Sequence, residues 1–260
     1  MIIRLLAEGT AAVALLMLIL WLIHLQMKNE AIVDAGWAGG LALLAVLYAA
    51  FGGGYPVRAW MIATMASVWG LRLGLYLLMT RVIGHPEEGR YQELRRQWKT
   101  GITLKFLGFF EFQALLCVVL SAPFLLASVN TTASLSWLEF AAAALWLLAM
   151  TGEILADARL SRFKSIPANR GKLCAVGLWR YSRHPNYFFE SLIWMSYAFF
   201  ALASPWGWIG LLSPVLILYF LLKVTGIPAT EAQALRSKGD AYRRYQQTTS
   251  MFIPWFPKSL

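Results

Sequence analysis

Charge is scarce in this chain: only 14% of its 260 residues are Asp, Glu, Lys or Arg, and acids number thirteen. A soluble domain carries nearer a quarter charged residues, and with 59% hydrophobic residues this chain would leave far too much apolar surface in water. Cysteine is nearly absent. Cys117 lies in an apolar run and Cys174 in a basic loop, with no CxxC or metal-ligand spacing, so neither a structural disulfide nor a zinc site is expected. The three histidines, His24, His85 and His184, are dispersed, and no metal is expected. There is no G-x-G-x-x-G, P-loop or H-E-x-x-H pattern, so any dinucleotide site here is not of Rossmann type. Internal repeats and low-complexity linkers are missing too.

What the chain does have is long apolar runs. A helix needs about 20 mostly apolar residues to cross the hydrocarbon core. Such segments fall at 8–27, 31–51, 57–80, 105–128, 135–156, 187–204 and 206–223. The expectation is an all-α polytopic membrane protein of seven transmembrane helices, a single membrane domain over 1–260. The run from Thr10 to Leu25 resembles a signal peptide, but Gln26-Met27-Lys28-Asn29-Glu30 offers no small-residue cleavage site, so it reads as a retained first span. With the N-terminus outside and the C-terminus cytoplasmic, the inner pieces are 28–30, 81–105, 157–186 and 223–260. They hold 20 of the 23 Lys and Arg, and the outer connections 52–56, 129–134 and 204–206 hold none. That is the positive-inside pattern. It also accounts for the net charge of +10 through anionic lipid, without nucleic acid.

Ionisable residues at membrane depth are costly and are kept for pairing or function. Here they are Asp34, Arg72, Glu111, Glu153, Asp157 and Glu190. Arg72 has Asp34 or Glu111 as a possible ion-pair partner, while the set as a whole suggests a shared polar cavity toward the cytoplasmic half. Glu153 and Asp157 are four apart and share a helix face that continues to Ser161 and Lys164. Residues 157–172 are expected to form an interfacial helix, and 231–250, with Tyr242, Arg243, Arg244 and Tyr245, an amphipathic surface segment. The seven cations between Arg159 and Arg183 suit a phosphate-rich ligand, or equally a loop lying on anionic lipid. The segment 177–190, GLWRYSRHPNYFFE, then crowds Tyr181, Arg183, His184, Asn186, Tyr187 and Glu190 around a helix start at Pro185. Such a mixture of donors, acceptors and aromatic planes can hold a nucleotide or a flat cofactor.

Those stretches, with Pro167-Ala-Asn-Arg-Gly171 before them, resemble the steroid 5α-reductase family, and most closely its bacterial branch, related to the sterol C14 reductases. The resemblance extends to 69–76, to Tyr242-Arg-Arg-Tyr245 and to Phe252-Ile-Pro254, and is firm over about 150–254. It implies NADPH bound from the cytoplasmic side of a bacterial inner membrane, and reduction of the C=C bond of a 3-oxo-Δ4 steroid or similar lipophilic enone. Carried over by position, the cofactor site is Asp157, Asn169, Arg170, Tyr181, Asn186, Tyr187 and Glu190, with Arg183 and His184 in the same motif. Glu231, Tyr242 and Tyr245 match in the tail, and Lys164 stands where the animal enzymes have arginine. The substrate end departs from the animal pattern: Asn29-Glu30 replaces a Gln-Glu pair, Asp34 follows one turn on, and Trp69 occupies the tyrosine position, with Tyr76 two turns deeper.

Hydride addition at the β-carbon of an enone places negative charge on the carbonyl oxygen, and a donor aimed there lowers the barrier. Glu30, Asp34 and Tyr76 are the candidates for that role. Trp37, Trp60, Trp69 and Phe110 are expected to wall the apolar cavity. A monomer with a steroid-like substrate and membrane lipid as partners is expected. Two rivals stay open. Isoprenylcysteine carboxyl methyltransferases share an Arg-His-Pro-x-Tyr element and use S-adenosylmethionine. A small transporter would use the buried charges as a relay, although transporters commonly show repeated halves.

Overall fold

In the computed structural model, residues 1–87 and 89–259 are described; Glu88 and Leu260, within the expected inner pieces, lie outside them. Among the described residues the chain is helical and without a named strand. Six helical stretches are long and apolar enough to cross a membrane: Ile2–Met27, Ile32–Phe51, Pro56–Val82, Ile102–Leu120, Trp137–Ser165 and Gly207–Lys238. They make the chain an integral membrane protein. Large apolar side chains such as Leu15, Leu75, Leu115, Leu147 and Val215 are exposed, as helices solvated by lipid require.

The chain divides into two compact units, the first comprising Met1–Phe140 and Tyr197–Ser213, the second Ala141–Ser196 and the residues from Pro214 on. In the first, α1 (Ile2–Met27), α2 (Ile32–Phe51), α3 (Pro56–Leu77) and α5 (Ile102–Leu120) form the body. Helix α2 is its centre, with eleven buried residues. Helices α2 and α3 approach closely because Gly70 has no side chain: a Cβ there would stand 2.5 Å from the Ala38 carbonyl oxygen. A five-residue π-helical turn, Leu78–Val82, ends α3. The short α4 (Gly89–Trp98) follows. The expected fourth span, 105–128, is two helices. Helix α5 stops at Ser121, and α6 (Ala122–Ser128) restarts with Pro123, which cannot donate to the preceding turn.

The first unit also holds a buried ion pair that the sequence did not suggest. Arg58 is 1% exposed and Glu139 fully buried. Their side chains pair, and Arg58 Nη1 also donates to the Thr132 carbonyl at 2.7 Å. The Ser136 amide donates to Glu139 Oε2 at 2.6 Å. Each charge is thus satisfied by a partner and by backbone, the condition for tolerating it away from water.

In the second unit, α7 (Trp137–Ser165) runs 29 residues, most of them in this unit, and α8 (Pro185–Ala201) 17. At 1.5 Å per residue α7 is about 43 Å long, more than a bilayer core. The basic stretch after Asp157 therefore begins as the protruding end of α7, which carries the helix of Glu153 and Asp157 on through Ser161 and Lys164 and ends at Ser165, short of 172. A short 3-10 turn, Pro167–Asn169, closes it, and the Asn169 side chain donates to the Phe163 carbonyl at 3.0 Å. The last apolar segment is composite: a 3-10 stretch Gly207–Leu211, α9 (Leu212–Tyr219) and a π-helical turn Phe220–Val224. Helices α10 (Ile227–Lys238) and α11 (Asp240–Thr248) complete the unit.

Candidate functional site

The polar residues gather in two places, one in each unit. In the second unit the site begins where α7 and α8 touch. A Cβ on Gly152 would lie 2.3 Å from the ring of Phe189, so glycine at 152 is what lets the two helices meet. The residues after it, Glu153 and Asp157, are 2% and 6% exposed. Asn186, in the first turn of α8, donates to Asp157 Oδ1 at 3.4 Å. Asn186, Tyr187 and Glu190 are half-buried, and Arg159, Arg162, Lys164, Arg170 and Lys172 are exposed. The arrangement is a carboxylate and an amide at the helix contact, with aromatic and acidic groups on α8 and a cationic rim.

The remaining motif residues hold this unit together. Arg183 is 9% exposed; its Nε donates to Glu231 Oε1 at 2.7 Å and its Nη1 to the carbonyls of Thr249 at 2.7 Å and Gln246 at 3.0 Å. His184 Nε2 is 3.3 Å from the same Glu231 oxygen, and its ring stacks on Tyr187 with centroids 5.6 Å apart. Gln246 donates to Glu231 Oε2 at 2.8 Å. Burial pushes the His184 pKa down, only partly opposed by the Glu231 carboxylate, so the ring is held neutral. Tyr242 and Tyr245 are buried, not spread over a surface as the amphipathic pattern of 231–250 suggested. Burial and the nearby Glu231 charge push Tyr242 up to about 12, and burial raises Tyr245 as well. The Tyr245 hydroxyl bonds to the Trp179 carbonyl, and Trp179 Nε1 donates to the Ala156 carbonyl at 2.9 Å. Of the positions carried over by resemblance, Arg183, His184, Glu231, Tyr242 and Tyr245 are thus engaged in internal bonds. Asp157, Asn186, Tyr187 and Glu190 border the helix contact, Tyr181 packs edge-on to Phe256, and Lys164, Asn169 and Arg170 lie at the end of α7 or just beyond.

The first unit contains Glu30, Asp34 and Tyr76. Tyr76 is half-buried on α3. Glu30 is fully buried: its Oε1 takes the Arg95 guanidinium and lies 3.5 Å from His24 Nε2, while its Oε2 has no hydrogen-bond partner among the described residues. Asp34 spends both oxygens, Oδ1 accepting from the Tyr91 hydroxyl at 2.9 Å and Oδ2 facing Arg90, with Arg81 at 3.8 Å. Asn29 fastens the connection, donating to the carbonyls of Arg81 and His85, each at 3.2 Å. Beside this cluster lies a cavity of about 390 Å³ lined by His24, Leu25, Lys28, Arg95, Thr103 and Phe106. Trp69 and Phe110 are buried core residues, and Trp60 is 47% exposed on α3.

Arg90, Tyr91 and Arg95 were not singled out from the sequence. They sat among six cations of one inner connection, where topology alone explained them. The available signal was Tyr91 and Arg95, four apart on one helix face in an otherwise polar segment.

Compared with known proteins, residues 20–249 match the profile of a family described as protein of unknown function (DUF1295). An uncharacterized protein of Schizosaccharomyces pombe (strain 972) is 27% identical over 270 aligned positions, covering 91% of this chain and 76% of the relative. No solved structure matches.

Proposed function

The chain belongs to the DUF1295 family, and we propose that it is a membrane-embedded, NADPH-dependent reductase of the C=C bond of a lipophilic enone such as a 3-oxo-Δ4 steroid. One observation carries the reading: a buried carboxylate, Asp157, meets the amide of Asn186 between two apolar helices, below a rim of exposed cations. The donor set there suits a dinucleotide. Amide and carboxylate can read a carboxamide or ribose, the Tyr187 ring offers a stacking plane, and Lys164 and Arg170 suit phosphates. The resemblance of 167–190 to the steroid 5α-reductases supports the same assignment.

When bound, the cofactor supplies a hydride. The chain's own part is to orient and to exclude water. Asp157, Asn186, Tyr187 and Glu190 hold the cofactor, and Arg183 and His184 act through Glu231 as positioning residues. We assign the carbonyl-polarising role to Glu30 over Asp34, because among the described residues Glu30 keeps one buried oxygen without a hydrogen-bond partner whereas Asp34 has spent both. The proposed topology is seven spans with an outside N-terminus. It is supported by the 20 of 23 cations in the inner pieces and requires α8, of 17 residues, to cross with the six longer stretches.

The test is NADPH oxidation by purified protein in detergent, with and without progesterone, with mass analysis of the steroid. An NADPH-dependent gain of two mass units supports the reading. Binding of S-adenosylmethionine, with neither NADPH binding nor turnover, replaces it with the methyltransferase.

A further inference from the structure

The C-terminal segment after α11 is bonded to the motif loop along its length. The Ser182 hydroxyl donates to the Phe252 carbonyl at 2.7 Å, and the Arg183 amide donates to the Ser250 carbonyl at 2.8 Å. The Trp255 amide donates to the Tyr181 carbonyl at 2.9 Å, and the rings of Tyr181 and Phe256 meet edge to face, 6.0 Å apart. The Lys258 amide returns to the Thr248 carbonyl at 2.8 Å, closing the segment on the end of α11. The tail is therefore a strap with a fixed path.

The apolar side chains of the strap are nonetheless largely bare. Ile253, Trp255 and Phe256 are 60%, 69% and 76% exposed, and Pro254, Pro257 and Lys258 stand among them. In water such a cluster would be a liability. Its height along the fold says what covers it. The loop that the strap holds is itself fixed to α7 by Trp179 on the Ala156 carbonyl, and Gly177 lies against the side chain of Arg159. At that level α7 changes from an apolar run to the cations Arg159, Arg162 and Lys164. Such a change marks the boundary between hydrocarbon and headgroups, where Trp and Lys are favoured together.

We propose that residues 251–258 seat in the headgroup layer of a phospholipid bilayer, with Trp255 and Phe256 as anchors, and strap the 181–183 segment at the membrane surface. The inference does not depend on which cofactor the unit binds.

The experiment uses the full chain with Phe256→Cys, labelled with bimane. Both native cysteines are buried, so the label goes to position 256, and unlabelled wild type checks this. In vesicles of phosphatidylglycerol and phosphatidylethanolamine, brominated acyl chains should cut the emission roughly twofold or more, while aqueous iodide has little effect. Iodide quenching as strong as for free dye, with no effect of brominated lipid, overturns the anchor. Ile253→Cys serves if the first variant fails to fold. A second measurement tests the strap. Exchange of the Arg183 amide should rise roughly tenfold in Trp255→Ser/Phe256→Ser in vesicles. Unchanged exchange overturns the link between anchor and loop.

Discussion

Asn186 on α8 places its amide nitrogen 3.4 Å from Oδ1 of Asp157 on α7, so two residues 29 positions apart present one polar edge between apolar helices. A ligand that reads this edge loses one donor or one charge when either residue is changed.

Asn186→Ala and Asp157→Asn are each expected to weaken NADPH binding by roughly tenfold to a hundredfold, the worth of about 1.5–3 kcal/mol for a hydrogen bond involving a charged group. Fluorescence titration in detergent reads the affinity, and the thermal midpoint checks that folding is kept. Wild-type affinity in both variants would remove this pair from the cofactor site.

Glu30→Gln is expected to lower turnover by about 10²-fold with little change in NADPH affinity, because the donor to the oxyanion is altered and the cofactor residues are not. Asp34→Asn should retain most of the turnover while losing stability, since it loosens Arg90 and Tyr91. The reverse ranking of kcat would transfer the role to Asp34.

Arg58→Met alone leaves the Glu139 charge buried without its partner and should cost about 3–5 kcal/mol. Arg58→Met combined with Glu139→Leu removes both charges and should recover much of the loss. Unfolding midpoints of the three proteins in one detergent decide the matter; a double variant no better than the single would mean that the pair is not the unit of stability.

Protonating His184 should cost stability. Its folded pKa lies below the ordinary value of 6.5, so as pH falls past 6.5 the unfolded chain takes up the proton first. Stability is therefore full above 6.5 and declines as pH drops below it toward the folded pKa, in a pocket where Arg183 is a second cation and Glu231 the shared acid. His184→Gln should flatten that part of the midpoint–pH curve. An unaltered slope would place the titrating group elsewhere.

The membrane-helical architecture could be read from the sequence because span length is a direct consequence of bilayer thickness, and six of the expected segments coincide with helices of sufficient length and hydropathy. The pairing of Asp157 with the 177–190 motif was legible in part: four-residue spacing put Glu153 and Asp157 on one face, and Pro185 marked the start of α8. Arg90 and Arg95 were not legible. A charge in a connection satisfies the topology rule whether it faces solvent or a buried acid, and only the packing of the connection against Glu30 and Asp34 decides between them. Arg58 and Glu139 escaped for a related reason. Their separation of 81 positions gives no periodic signal, and the backbone carbonyls of 130–134 that complete the site carry no mark in a side-chain sequence. The break at Ser121 hid in an apolar run that hydropathy treats as continuous.

The contact between α7 and α8 has a consequence for sequence change. The ring of Phe189 occupies the space that a side chain at 152 would need, so positions 152 and 189 divide one fixed volume between them. Relatives that keep the carboxyl–amide edge should trade size at one position for size at the other. A residue larger than glycine at 152 should occur with something slimmer than phenylalanine at 189.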